Sequence, residues 1–261
     1  MTKNGFYLLL ISTLFTSCIP VKDLVYLQDK GSAGSETTVS AVESKPYRLQ
    51  VNDVLSVDIK AIDSKLTTIF KPSEDLNNGK SESDLYFNGF TVDDHGNIRM
   101  PILGELNVIG YTLEEVRVKI EKKLLEEYFK AEANIFVTVK LAGFRYTING
   151  EVGSTGTKTL FKEHVNIMEA VANAGDITTV GNRKAVTVIR QTPTGVQMND
   201  IDLTDVNVMK SPYYYLQPND YIYVKPLKQK TWGTGQTGLQ SLGTVITLLS
   251  LGTTLFVLLK N

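Results

Sequence analysis

Thr112–Tyr128, TLEEVRVKIEKKLLEEY, and the following Ile135–Leu141, IFVTVKL, decide the class of fold. Leu113, Val116, Ile120, Leu124 and Tyr128 recur at helical spacing and predict one apolar helix face. Thr112 and Glu115 make a capping-box pattern, in which hydroxyl and carboxylate each satisfy the other's backbone donor. After Tyr128 the pattern changes to a strand, with Phe136 and Val137 leaving both faces partly apolar. Working outward, strands with an occasional helix continue in both directions, which argues α+β rather than a doubly wound parallel sheet.

Upstream, Val54–Ile59 has strand character. Residues 63–88 form a polar excursion with Pro72 and Asn77-Asn78-Gly79. Phe90–Val92, a turn at Asp93–Asn97, the strand Ile98–Met100 and Pro101-Ile102-Leu103-Gly104 then lead to Thr112. Downstream, a second unit begins near Gly143 with a strand over Phe144–Val152. Asn166 caps a short helix, with Glu169 at its third position and Gly175 as its stop. Ala185–Arg190, Val196–Ile201 and Tyr221–Val224 complete it as strands. Leu49–Val57, LQVNDVLSV, echoes Leu216–Val224, LQPNDYIYV. In each, a polar Asn-Asp turn feeds an apolar strand, with the aspartate placed for backbone donors. A recurrent turn device explains this better than duplication, because nothing else repeats at that spacing.

Both ends of the chain are apolar. Lys3, the run Phe6–Phe15 and Ser17 before Cys18, the sole cysteine, read as a signal peptide (residues 1–17) of the lipobox kind. The alternative is an ordinary secretory signal with a nearby cysteine. Lipidated Cys18 would open a tether over residues 18–46, flexible through Gly31–Ser35, with Val25-Tyr26-Leu27 able to dock locally. Ile19 after the cysteine, in place of aspartate, permits outer-membrane sorting. At the other end, Leu242–Leu259 would span about 27 Å as a helix, enough for a bilayer core. A transmembrane helix is expected over residues 241–261, after an interfacial hinge over residues 227–240. Trp232, Lys228, Lys230 and Lys260 suit the membrane interface. Gly243, Thr247, Ser250 and Thr254 fall on one helix stripe, fitted either to a wet lumen or to a helix-packing seam.

Composition and motifs argue against catalysis. A net charge of −1 with both signs interspersed gives no case for nucleic acid. Asp93-Asp94-His95 reads as a solvated hairpin turn, and His164 sits in no ligand spacing, so neither metal nor cofactor is expected. Glu114-Glu115 and Glu126-Glu127 are adjacent on a helix and diverge. Gly233, Gly235 and Gly238 lack the context of a phosphate loop. Tyr213-Tyr214-Tyr215, Tyr221 and Tyr223 either offer sugar-stacking surface or pack a sheet face.

Taken in order, these pieces resemble the outer-membrane polysaccharide export lipoproteins, the Wza-like family. Tyr47-Arg48-Leu49 with Asn52-Asp53-Val54-Leu55, His95-Gly96-Asn97-Ile98, Pro101–Gly104, Val108, Gly110 and Thr112-Leu113-Glu115 resemble its polysaccharide export domain (residues 47–142). Gly150-Glu151-Val152, Gly156, Glu169–Ala172, Ala174-Gly175, Arg190 and Leu216–Asp220 resemble its SLBB domain, a soluble-ligand-binding β-grasp (residues 143–226). Two positions depart from the family. Val51-Asn52 replaces proline-glycine, and Asp176 replaces a turn glycine; Asn and Asp tolerate the unusual dihedrals involved.

The resemblance implies a ring-shaped homo-oligomer, octameric in the best-known relatives, in which C-terminal helices form an α-barrel. Eight helices packed 8–10 Å apart would leave a lumen of roughly 15 Å. It implies a channel carrying capsular polysaccharide or exopolysaccharide, outer-membrane lipid around it, and an inner-membrane polysaccharide co-polymerase or tyrosine kinase as partner. The soluble domains would lie in the periplasm and the C-terminus at the cell surface. The rival reading is a doubly anchored envelope lipoprotein that acts as a scaffold or glycan-binding module without a pore.

Overall fold

The computed structural model describes residues 19–29, 42–43, 45–61, 87–129, 134–192, 194–231, 243, 246–254 and 258. They fall into two units, one drawn from residues 43–145 and 159–165, the other from residues 1–42, 146–158 and 166–261.

In the first unit, β1 (Val54–Lys60) sits between β2 (Phe90–Thr91) and β5 (Phe136–Leu141) in an antiparallel sheet. β3 (Asn97–Met100) and β4 (Gly104–Asn107) pair as a separate hairpin, and α1 (Leu113–Glu127) runs ahead of β5. The register sets Leu55 opposite Leu141 and Ile59 opposite Val137. Val116, Ile120 and Leu124 on α1 are fully buried with Leu55, Val92, Ile98 and Val108 in one core. The capping box is present: Thr112 N donates to Glu115 Oε2 at 2.7 Å, and Glu115 N donates to Thr112 Oγ1 at 3.2 Å.

The second unit is built on a five-stranded sheet with a helix packed against it. β6 (Phe144–Gly150) is followed by β7 (Gly156–Leu160), α2 (Ile167–Asn173), β8 (Gly181–Thr192), β9 (Gly195–Ile201) and β10 (Tyr221–Pro226). Their order is β7-β6-β10-β8-β9, with β6 and β10 parallel at the centre. First and last strands parallel in the middle, with a helix after the first strand pair, is a β-grasp arrangement. Ile148, Val186, Val188, Ile222 and Val224 are buried, as are Ile167, Ala170 and Val171 of α2. The Tyr146 hydroxyl ties sheet to helix, 2.9 Å from the Ala170 carbonyl oxygen and 3.1 Å from Asn173 Oδ1. Burial pushes that phenol up to about 12.

The echoed LQxND stretches are the same turn in both units. Asn52 and Asn219 are left-handed, at φ 70° and 68°. The aspartate that follows turns back, with Asp53 Oδ2 accepting from Gln50 N and Asp220 Oδ2 from Gln217 N, each at 2.8 Å. Asp53 also accepts from the Tyr47 hydroxyl at 2.8 Å. Asp176, at the second departure from the family pattern, is likewise left-handed at φ 68°. A side chain that forfeits asparagine's tolerance of this region costs roughly 1–2 kcal/mol. Asn52→Val and Asn219→Val are expected to lose about that much in urea denaturation, with Asn52→Gly near neutral.

Two strands exceed the expectation. β4 carries only Leu106 as a buried apolar residue, and β7 reads Gly-Thr-Lys-Thr-Leu, so neither shows apolar alternation. Residues 19–28, which include Val25-Tyr26-Leu27, bond to the second unit, while Gly31–Ser35 lies outside the described residues.

The C-terminal expectation is corrected. Among the described residues no helix is long and apolar enough to cross a membrane. Residues 243, 246–254 and 258 are helical. Gly, Ser and Thr fill five of the nine positions 246–254. The α+β architecture stands, but the membrane-spanning helix, the oligomeric α-barrel and the porin-like export channel built on it do not. Each sheet among the described residues keeps open edges.

Candidate functional site

Strand alternation in the β-grasp unit sends one set of side chains to the core and the other to an open face. The register brings that second set into two rows across four strands. Thr147, Tyr221, Ile189 and Met198 lie opposite one another in one row, and Asn149, Tyr223, Thr187 and Asp200 in the next. Asn149 Nδ2 donates to the Tyr221 hydroxyl at 3.1 Å, and the Thr147 and Thr157 hydroxyls meet at 3.1 Å. At the β9 side, Asp200 accepts from Thr187 Oγ1 at 2.5 Å and from Lys225 Nζ at 2.6 Å. Lys225 first, then the Thr187 hydroxyl, holds the Asp200 carboxyl below the usual carboxylate range.

Two tyrosines, an amide, hydroxyls and a fixed ion pair thus share one face of the sheet, with Tyr223, Asn149 and Asp200 exposed, Tyr221 and Lys225 half-buried and Thr187 buried beneath Asp200. Sugar rings present apolar C–H faces and a rim of hydroxyls, which such a surface can stack against and hydrogen-bond. It holds no aligned acid–base pair, since the Asp200 carboxylate is occupied by Lys225 and Thr187.

The tyrosines noted in the sequence divide by role. Tyr221 and Tyr223 lie on the open face. Tyr213 packs instead over the Arg190 guanidinium at 5.0 Å and donates its hydroxyl to Gln197 Oε1 at 2.9 Å. Tyr214 and Tyr215 meet edge to face at 5.3 Å. Behind them, Arg190 and Asp220 form a buried pair, Nη2 to Oδ2 at 2.7 Å and Nε to Oδ1 at 2.9 Å, with Arg190 Nη2 also reaching the Tyr215 carbonyl oxygen at 3.1 Å. This cluster is structural.

The remaining candidates are scattered. Asp93 uses its Oδ1 to accept from His95 N and Asn97 N, closing the hairpin turn. Glu114 is taken by Arg117, and Glu115 by the cap. Lys228 and Lys230 are exposed on a short helix, α3 (Lys228–Thr231), and Lys230 pairs with Glu151. Gly243, Thr247, Ser250 and Thr254 are helical and exposed. Their hydroxyls are spent inside the helix, Thr247 on the Gly243 carbonyl at 2.8 Å, and Ser250 on that of Thr247 at 2.9 Å. Thr254 bonds the Ser250 carbonyl oxygen at 2.8 Å. Cys18, Trp232 and Lys260 lie outside the described residues.

Sequence reasoning missed Thr147, Asn149, Thr187, Asp200 and Lys225. Only the spacing of two within each strand hinted at them, and it cannot reveal that β6 pairs with a strand 70 residues later.

Residues 41–141 match the model of a family described as polysaccharide biosynthesis/export protein. The chain is 25% identical over 158 residues to the EPS I polysaccharide export outer membrane protein EpsA of Ralstonia nicotianae, covering 57% of this chain and 39% of that protein. It is 25% identical over 156 residues to the protein of the same name from Ralstonia solanacearum, covering 57% and 40%. The chain thus spans about two fifths of the curated relatives it matches. The span that matches the polysaccharide biosynthesis/export family coincides with the first unit, with its buried α1 face and LQVND turn.

Proposed function

We propose that this chain is a lipid-anchored scaffold and glycan-binding component of a polysaccharide export apparatus at the outer membrane, without a pore of its own. The observation that carries the reading is the export-family match over residues 41–141, which coincides with a folded unit of its own. The β-grasp unit acts as an SLBB-like domain, and its open face around Tyr221 and Tyr223 contacts the polymer. Cys18 carries the lipid, and the folded units lie in the periplasm. The partners are the capsular polysaccharide or exopolysaccharide, an inner-membrane polysaccharide co-polymerase, and further copies of this chain. Gly243, Thr247, Ser250 and Thr254 serve as a helix-packing seam.

The test is genetic and biochemical. Cells lacking the chain are expected to lose most surface polysaccharide, and normal amounts would sink the proposal. In the purified protein, Tyr221→Ala with Tyr223→Ala is expected to weaken binding of the host's own polysaccharide about tenfold. That corresponds to about 1.4 kcal/mol, within reach of two aromatic faces at roughly 0.5–1.5 kcal/mol each. Unchanged affinity would move the glycan contact elsewhere.

A further inference from the structure

Residues 19–28 hold to the β-grasp unit through several independent contacts. The short 3₁₀ turn Val21–Asp23 is closed by the Gln28 side-chain amide, which donates to the Lys22 and Val25 carbonyl oxygens, each at 2.7 Å. Asp23 Oδ1 meets Lys184 Nζ at 2.5 Å. The Tyr26 ring lies over the Arg183 guanidinium at 5.1 Å, and its hydroxyl donates to Asp176. Arg183 is buried, and is itself fixed by the Ile177 and Thr178 carbonyl oxygens at 2.6 and 3.1 Å. Burial and the Asp176 hydrogen bond push the Tyr26 phenol up to about 12. Three backbone hydrogen bonds follow: Leu27 N to Leu203 O at 3.0 Å, Gln28 N to Thr204 O at 2.8 Å, and Val206 N to Gln28 O at 3.1 Å.

The outer side of the same segment is apolar. Val21 is 74% exposed and Val25 46%, next to exposed Pro20. Docking therefore begins within five residues of Cys18, at Asp23, which limits the separation to about 17 Å. Among the described residues beyond Asp29, Val42 is the next to hold the unit, its N–H donating to the Met209 carbonyl oxygen at 3.0 Å. The 24 residues from Cys18 to Val42 could reach about 80 Å.

We propose that residues 19–28 are a strap that holds the β-grasp unit against the lipid surface carrying Cys18, with Pro20, Val21 and Val25 meeting the headgroup region. The inference rests on the lipid-anchor part of the proposed function, and its ligand is the bilayer. The strap turns a loose leash into a short mount. The glycan-contact face then sits at a set height above the membrane.

The experiment uses the chain from Cys18 to Asn261, coupled through its single thiol to a maleimide lipid in phosphatidylethanolamine–phosphatidylglycerol vesicles. A fluorescent amino acid at exposed Lys210 donates to a headgroup-labelled lipid. Asp23→Lys with Tyr26→Ala is expected to lower energy transfer about twofold, since the permitted reach grows from about 17 Å at Asp23 to about 30 Å at Leu27, whose backbone bonds remain, and further where those bonds also release. Asp23→Lys alone should lower it in part, and adding Lys184→Asp should restore it. That rescue separates release of the strap from misfolding. Equal transfer with and without the strap, or weak transfer in the unaltered chain, overturns the proposal. Because coupling is chemical, either result leaves cellular lipidation untouched; an unmodified Cys18 in mass spectra from cells would count against the anchor instead.

Discussion

Arg190→Met is expected to destabilise the β-grasp unit by about 3–5 kcal/mol, because it strands a buried charge. Asp220 is 1% exposed, and Arg190 supplies three of the hydrogen bonds that make its carboxylate tolerable there. Burial already pushes the Asp220 carboxyl up, opposed by Arg190 and by the Gln217 N–H. Without the guanidinium the upward push is unopposed on that side. A carboxyl whose folded pKa lies above its unfolded value lends stability at low pH, which is lost as pH rises. The variant should therefore be closest to the parent in acid and weaken toward neutral pH, as read by urea denaturation at several pH values. Arg190→Met with Asp220→Leu should recover part of the loss but not all, since the Gln217 N–H then lacks its acceptor. A loss below 1 kcal/mol in the single variant would mean that the pair is not buried in solution.

The second large effect belongs to the export domain. Ile120→Ala should cost about 2–5 kcal/mol, and Val118→Ala much less. Ile120 is fully buried between Val116 and Leu124 on α1, whereas Val118, two positions away, is 48% exposed. Comparing the two holds helix propensity nearly constant and leaves cavity formation as the difference. Equal small losses would place the helix face elsewhere.

How much was legible follows from the range of each interaction. The α1 capping box and buried stripe are local, and spacings of three and four residues display them. The LQxND turns are local too, so their repetition showed as a sequence echo. The open face was only half visible. Tyr221 and Tyr223 could be named, but Thr147 and Asn149 join them through a parallel pairing that no short window contains. Arg183 and Tyr26 are the same case over a longer span, and their docking left only the aromatic Tyr26 as a trace. The C-terminal stretch misled for a different reason. Hydropathy counted over residues 242–259 is high, yet among the described residues no helix is long and apolar enough to cross a membrane, and Gly, Ser and Thr fill five of the nine positions 246–254.

The central place of β10 bears on how the chain can be made. The last strand to emerge from synthesis is the one that joins β6-β7 to β8-β9. Until residue 226 is available the two strand pairs have no common partner, and their inner apolar faces stay open. Such a unit stays slack during synthesis and sets only once its final strand arrives. A chain cut before Tyr221 should hold two unjoined strand pairs and be degraded faster than the full chain.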